Sequence, residues 1–133
     1  MEKIWHKRLL FAAAVLMAIT CLVHVFAGGP ELYGPLRASD YPAMPKSVLS
    51  VIWHFVSLQL AFMTVALWVL TRRPNRALFV YVFATTVGCA LLFIGYGLTD
   101  LGSLLPMPQW TAFLAVALLM APSFRAQSET LGA

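Results

Sequence analysis

Four apolar runs, separated by short polar stretches, dominate the chain. The first, over residues 9–27, reads LLFAAAVLMAITCLVHVFA and carries one strongly polar side chain, His24. The second, over 48–70, includes Trp53, His54, Ser57 and Gln59. The third covers 77–98 and holds Tyr81, Cys89 and Tyr96. The fourth, over 109–124, is shorter, and Pro106 and Pro108 precede it. Proline suits the first turn of a helix and not its interior, so this helix is expected to begin at or just after Pro108. A transmembrane helix needs roughly 20 apolar residues. The pattern therefore predicts an all-α integral membrane protein. Its expected form is a four-helix up-down bundle with a folded extracytoplasmic loop between helices 1 and 2, built as a single transmembrane domain over residues 1–133.

Within the runs, small and polar residues recur at helical spacing. Ala13, Met17, Thr20 and His24 mark one face of the first span. Ser50, His54, Ser57, Ala61 and Thr64 mark one face of the second, and Tyr81, Thr85, Gly88, Leu92, Gly95 and Thr99 one face of the third. Membrane helices associate through small residues and occasional polar contacts, because lipid is as apolar as leucine. These three stripes are expected to form the core of the bundle.

Composition agrees. Of the 133 residues, 61% are hydrophobic and 11% charged, whereas soluble domains carry about 25% charged residues. That excludes a soluble enzyme, and with two cysteines the chain is no disulfide scaffold. The net charge of +4 reads as membrane orientation rather than affinity for nucleic acid. Lys3, Lys7, Arg8, Arg72, Arg73, Arg76 and Arg125 fall on one side, against Arg37 and Lys46 on the other. By the positive-inside rule both termini are expected in the cytoplasm, with a bacterial inner membrane as the host. The first run is longer than the roughly 7–15 residues of a signal-peptide core and contains a histidine, so it reads as a retained span.

The outward loop, residues 28–47, contains Pro30, Pro35, Pro42 and Pro45 with Tyr33 and Tyr41. Its apolar Leu32, Leu36 and Met44 suggest a folded cap lying on the bundle. The inward turn around Pro74-Asn75 is short and basic, and the tail from Ala126 onward reads as a frayed end. Asp100, after Gly95-Tyr96-Gly97, is expected as a helix N-cap or turn residue. Trp53, Trp110, Tyr33, Tyr41 and Tyr96 near the outer boundary, and Trp5 near the inner one, fit an interfacial aromatic belt. Cys21 and Cys89 form no CxxC pair and read as small hydrophobes.

The chemistry concentrates on His24 and His54. Both fall within roughly 5–10 Å of the outer boundary at 1.5 Å rise per residue, and ionisable groups in spans usually face the interior or a cavity. They are expected to share one site, with Glu31, Trp53 and Ser57 as further ligand-binding residues. Three readings stay open. His24, His54 and Glu31 would ligate a transition metal, with Asp40 or Asp100 as a fourth ligand. The two histidines would be axial ligands of a haem b. Or His24, Glu31 and His54 would form a proton relay or quinone-headgroup site. Against all three stands a plain alternative, in which each neutral imidazole bonds locally to a serine or a carbonyl. No nucleophile elbow, phosphate loop or HExxH occurs.

The run His24-Val-Phe-Ala-Gly-Gly-Pro-Glu31, followed by Trp53-His54-Phe-Val-Ser57, resembles a group of small four-span bacterial membrane proteins of unknown function. The likeness covers spans one and two and their connection, under half the chain. It implies that the two histidines and the Gly-Gly turn form one recurrent unit, and it supplies no activity. The functional expectation is a binding or accessory subunit of a larger membrane complex. Its partners would be the lipid bilayer and other membrane subunits or further copies of itself. A redox protein or enzyme using the histidine pair is the alternative, and an oligomeric small transporter the next.

Overall fold

The computed structural model describes residues 2–124 together with Gln127. Met1, Arg125 and the rest of the tail, 126 and 128–133, lie outside the described residues, as do the side chains of Glu2 and Lys3. All regular structure among the described residues is helical: α1 Glu2–Phe26, a π-helical turn Gly29–Tyr33, α2 Gly34–Ala38, α3 Ala43–Arg72, α4 Arg76–Leu101, α5 Gln109–Met120 and a final 3₁₀ turn Ala121–Ser123. Three helical runs, Ile4–Ala38, Ala43–Arg72 and Arg76–Leu101, are long and apolar enough to cross a membrane. The fourth, Gln109–Ser123, is apolar but shorter, about 24 Å from end to end.

Local chemistry sets the helix ends. Pro108 is the N-cap of α5, at the position the two prolines predict. The Asn75 side chain caps α4 by accepting from the Leu78 N–H at 2.9 Å. Gly102, with φ of 63°, ends α4 in the left-handed region that favours glycine. The helix therefore runs through Gly95-Tyr96-Gly97, which is no turn. Asp100 lies in its last turn and accepts from Thr99 Oγ1 at 2.7 Å, so it is not an N-cap.

The connection between α1 and α3 is structured, but not as a cap that buries its apolar residues. The Glu31 N–H still reaches the Ala27 carbonyl at 3.3 Å. Pro30 removes one N–H, and the chain widens into the π turn, closed by the Gly34 N–H on the Gly29 carbonyl. Leu36 is half-buried, but Leu32 and Met44 remain exposed, Met44 at 75%. At the other end, the Gln127 side chain is only 4% exposed and accepts from the Asn75 N–H at 2.9 Å. At this residue the expected frayed end is instead docked.

α1 packs between α3 and α5, and α5 also packs on α4, whereas the consecutive helices α3 and α4 touch little. Leu10, Met17, Met63, Leu67, Phe79 and Met120 are fully buried between them. Phe79 and Phe83 both meet the Phe124 ring edge-on, at 5.1 and 5.6 Å. The first predicted stripe holds: Ala13 and Met17 are buried, with His24 half-buried further along. The other two do not. The buried line on α3 is Leu60, Met63, Leu67 and Leu70, beside the expected stripe and not on it. On α4 the line is Phe79, Val82, Thr86 and Ala90, while Tyr81, Gly95 and Thr99 are exposed and Leu92 is 61% exposed. The Tyr81 hydroxyl accepts from Gln59 Nε2 on α3 at 2.7 Å, but several Ser and Thr hydroxyls need no neighbouring helix, because they bond within their own turn. Ser50 donates to the Lys46 carbonyl at 2.8 Å, Thr64 to Leu60 at 2.9 Å and Thr86 to Val82 at 2.7 Å.

Candidate functional site

The site begins at Gly28. A Cβ there would lie 3.1 Å from Cη2 of Trp53, so the missing side chain lets the indole lie against the end of α1. α1 and α3 run antiparallel, and two contacts fix their register. The Cys21 thiol faces the Ser57 carbonyl at 3.8 Å, and the His24 ring stacks on Trp53 with centroids 4.1 Å apart and planes 22° apart. With its proton on Nε2, His24 donates to the Trp53 carbonyl at 3.5 Å, a long contact. Ser57 Oγ donates to that same carbonyl at 3.0 Å.

Tyr33 completes the group. The π turn presents its ring to Trp53, stacked at 5.6 Å and 11°, and to His54, edge-on at 5.3 Å and 71°. Four rings from three elements thus form a continuous cluster running from His24 through Trp53 and Tyr33 to His54. Such contacts are worth about 0.5–1.5 kcal/mol for aromatic pairs beyond the area they bury.

The two histidines belong to one cluster but occupy different places in it. His24 is half-buried and covered by the indole, whereas His54 is exposed. Adjacent residues on a helix point about 100° apart, so with Trp53 turned toward α1, His54 faces away from it. Among the described residues the His54 ring meets one other aromatic ring, that of Tyr33, and neither nitrogen has a hydrogen-bond partner. Glu31 is exposed, and its carboxylate pairs with no described residue.

The fit to a metal is poor. Among the described residues no three of His, Cys, Asp and Glu gather into a group able to hold a metal ion, so His24, His54 and Glu31 do not assemble as a ligand set, and neither Asp40 nor Asp100 completes one. Two axial haem ligands would have to face one iron across an open gap, whereas the Trp53 indole covers the His24 ring at 4.1 Å and His54 is exposed on another side of α3. Cys21 and Cys89 are free, half-buried and packed beside the apolar core.

Sequence reasoning assigned Tyr33 to the aromatic belt and so missed its place in the site. The available signal was its spacing of nine residues from His24, informative only if helical backbone continues past Pro30. Comparison of the chain with protein families, curated proteins and solved structures finds no match in any of the three.

Proposed function

We propose that this chain is a binding or accessory subunit of a larger complex in a bacterial inner membrane. It would be a four-helix up-down unit with both termini cytoplasmic, docking through the face of α3 that carries His54. One observation supports this above the others: an ionisable side chain lies exposed inside a span. α3 is about 45 Å long against a hydrocarbon core of about 30 Å. His54, eleven residues from the helix start, then lies roughly 9 Å below the membrane boundary. Histidines at such depth almost always face a protein interior or a water-filled cavity. An unpaired polar group left in an apolar medium costs on the order of 2–7 kcal/mol. Around His54 the helix presents Val51 at 69% exposure, Phe55 at 63% and Leu58, a surface apolar enough for lipid except at the imidazole. A neighbouring subunit that offers His54 a hydroxyl, carbonyl or carboxylate removes that cost.

In this reading the ring cluster is the rigid base of the docking face. Trp53 and Tyr33 hold His54 in place, and His24 locks Trp53 to α1. Native gel migration of gently solubilised membranes tests it. The 14.6 kDa chain is expected to run as part of a much larger assembly. His54→Leu is expected to release it as a free, still helical protein. An assembly unchanged by that substitution contradicts the reading.

A further inference from the structure

Beside the start of α3 lies an open hollow that the ring cluster does not use. It is lined by Pro35, Leu36, Ser39, Asp40, Tyr41 and Leu49, among others. α3 overhangs the hydrocarbon by several ångströms at each end, so its first turns sit at headgroup level. Leu36 and Leu49 make the hollow apolar, and Asp40 and Tyr41 give it one carboxylate and one aromatic ring. Asp40 is exposed and its carboxylate pairs with no described residue. The Tyr41 ring is half open to its surroundings.

Positive charge sits close by but is not neutralised by that carboxylate. The Lys46 ammonium is held on the carbonyls of Ser39 and Arg37, which anchors a cation one residue from Asp40. The Arg37 side chain is exposed. The rim thus carries a carboxylate with an aromatic ring, and fixed positive charge next to them. A simple cation would be repelled by Lys46 and a simple anion by Asp40. A zwitterion suits both. Below the hollow, Val48 and Ile52 continue as exposed apolar surface down α3, a path for acyl chains.

We propose that this hollow holds the headgroup of one zwitterionic phospholipid with a primary ammonium. The ammonium would lie between Asp40 and Tyr41, through an ion pair and a cation–π contact. The phosphate would lie on the Lys46 and Arg37 side, with the acyl chains along α3. The inference does not depend on a partner subunit.

Native mass spectrometry of the purified full chain, equilibrated with equal phosphatidylethanolamine and phosphatidylglycerol, tests it. Phosphatidylethanolamine is expected to be retained about five-fold over phosphatidylglycerol. Asp40→Asn and Tyr41→Ala should each erase the preference while circular dichroism stays unchanged. Asp40→Glu should keep it, and so should Asp100→Asn, at an acid outside the hollow. Equal retention of the two lipids, or a preference that survives both Asp40→Asn and Tyr41→Ala, overturns the proposal. Displacement of the lipid by millimolar free phosphoethanolamine would point to a soluble ligand and overturn the lipid assignment.

Discussion

Two adjacent glycines have unequal roles at the site. A Cβ on Gly28 meets the Trp53 indole at 3.1 Å, while one on Gly29 meets nothing within 4 Å. Gly28→Ala is therefore expected to cost about 1–3 kcal/mol, as overpacking does, and to disturb the near-ultraviolet dichroism of the ring cluster. Gly29→Ala should be close to neutral. Paired unfolding titrations in mixed micelles check the contrast, and equal effects would contradict the placement of Trp53. Gly97 makes a similar point in the chain's return toward α5. A Cβ there would meet the Ser103 carbonyl and Leu104 Cδ2, each at 3.2 Å, and the backbone oxygen cannot simply swing aside. Gly97→Ala is expected to destabilise by about 1–3 kcal/mol. From sequence alone, nothing set Gly28 apart from Gly29, and it was Gly95, not Gly97, that fell on the expected packing stripe. A close approach depends on what the fold brings near, and no local pattern encodes it.

At the scale of elements, helix ends were legible and helix faces were not. Pro108 and the Pro74-Asn75 pair act through their own backbone, so their effect appears in the local sequence. The stripes of Ser, Thr and Gly on α3 and α4 misled, because a hydroxyl that bonds back one turn is satisfied without a neighbouring helix. The connection after α1 was read as a loop because four prolines crowd it. Pro30 costs only one hydrogen bond, and the π turn absorbs it. Lys46 then ties α2 to α3 by donating to the carbonyls of Arg37 and Ser39. Lys46→Met keeps the apolar stem and removes those bonds. Its expected effect is a loss of about 1 kcal/mol of local stability, read as faster amide exchange at 39–41, with exchange in the later turns of α3 unchanged. Asn75→Ala, which removes the α4 cap, is expected to cost about 0.5–2 kcal/mol in thermal unfolding.

Across the whole molecule, three helices long enough for the membrane and a shorter fourth pack together, and the half of α3 that carries His54 meets only α1, the π turn and α2 among the described contacts. The membrane class followed from composition and the runs themselves. Orientation is a separate inference from the positions of Lys and Arg, and cysteine labelling in intact cells tests it. With the native cysteines replaced, Asp40→Cys should react with an impermeant reagent from outside, and Asn75→Cys only after the membrane is opened. The reverse pattern would place the hollow and the ring cluster on the cytoplasmic side. The pair of histidines was legible as the place to look, because imidazoles stand out in an apolar run. Their division of labour was not: Trp53, turned toward α1, sends His54 outward, and only the packing of α3 reveals that turn.

The most direct test is site-specific photo-crosslinking in native membranes. A photoreactive residue would be placed in turn at Val51, Phe55 and Leu58 around His54, and at Leu91, which is exposed on α4. If a subunit covers His54, the three positions on α3 should give one discrete protein adduct, the same for each and lost with His54→Leu, while position 91 gives lipid adducts alone. Lipid adducts alone at 51, 55 and 58 would mean that nothing docks on that face, and would contradict the proposed role.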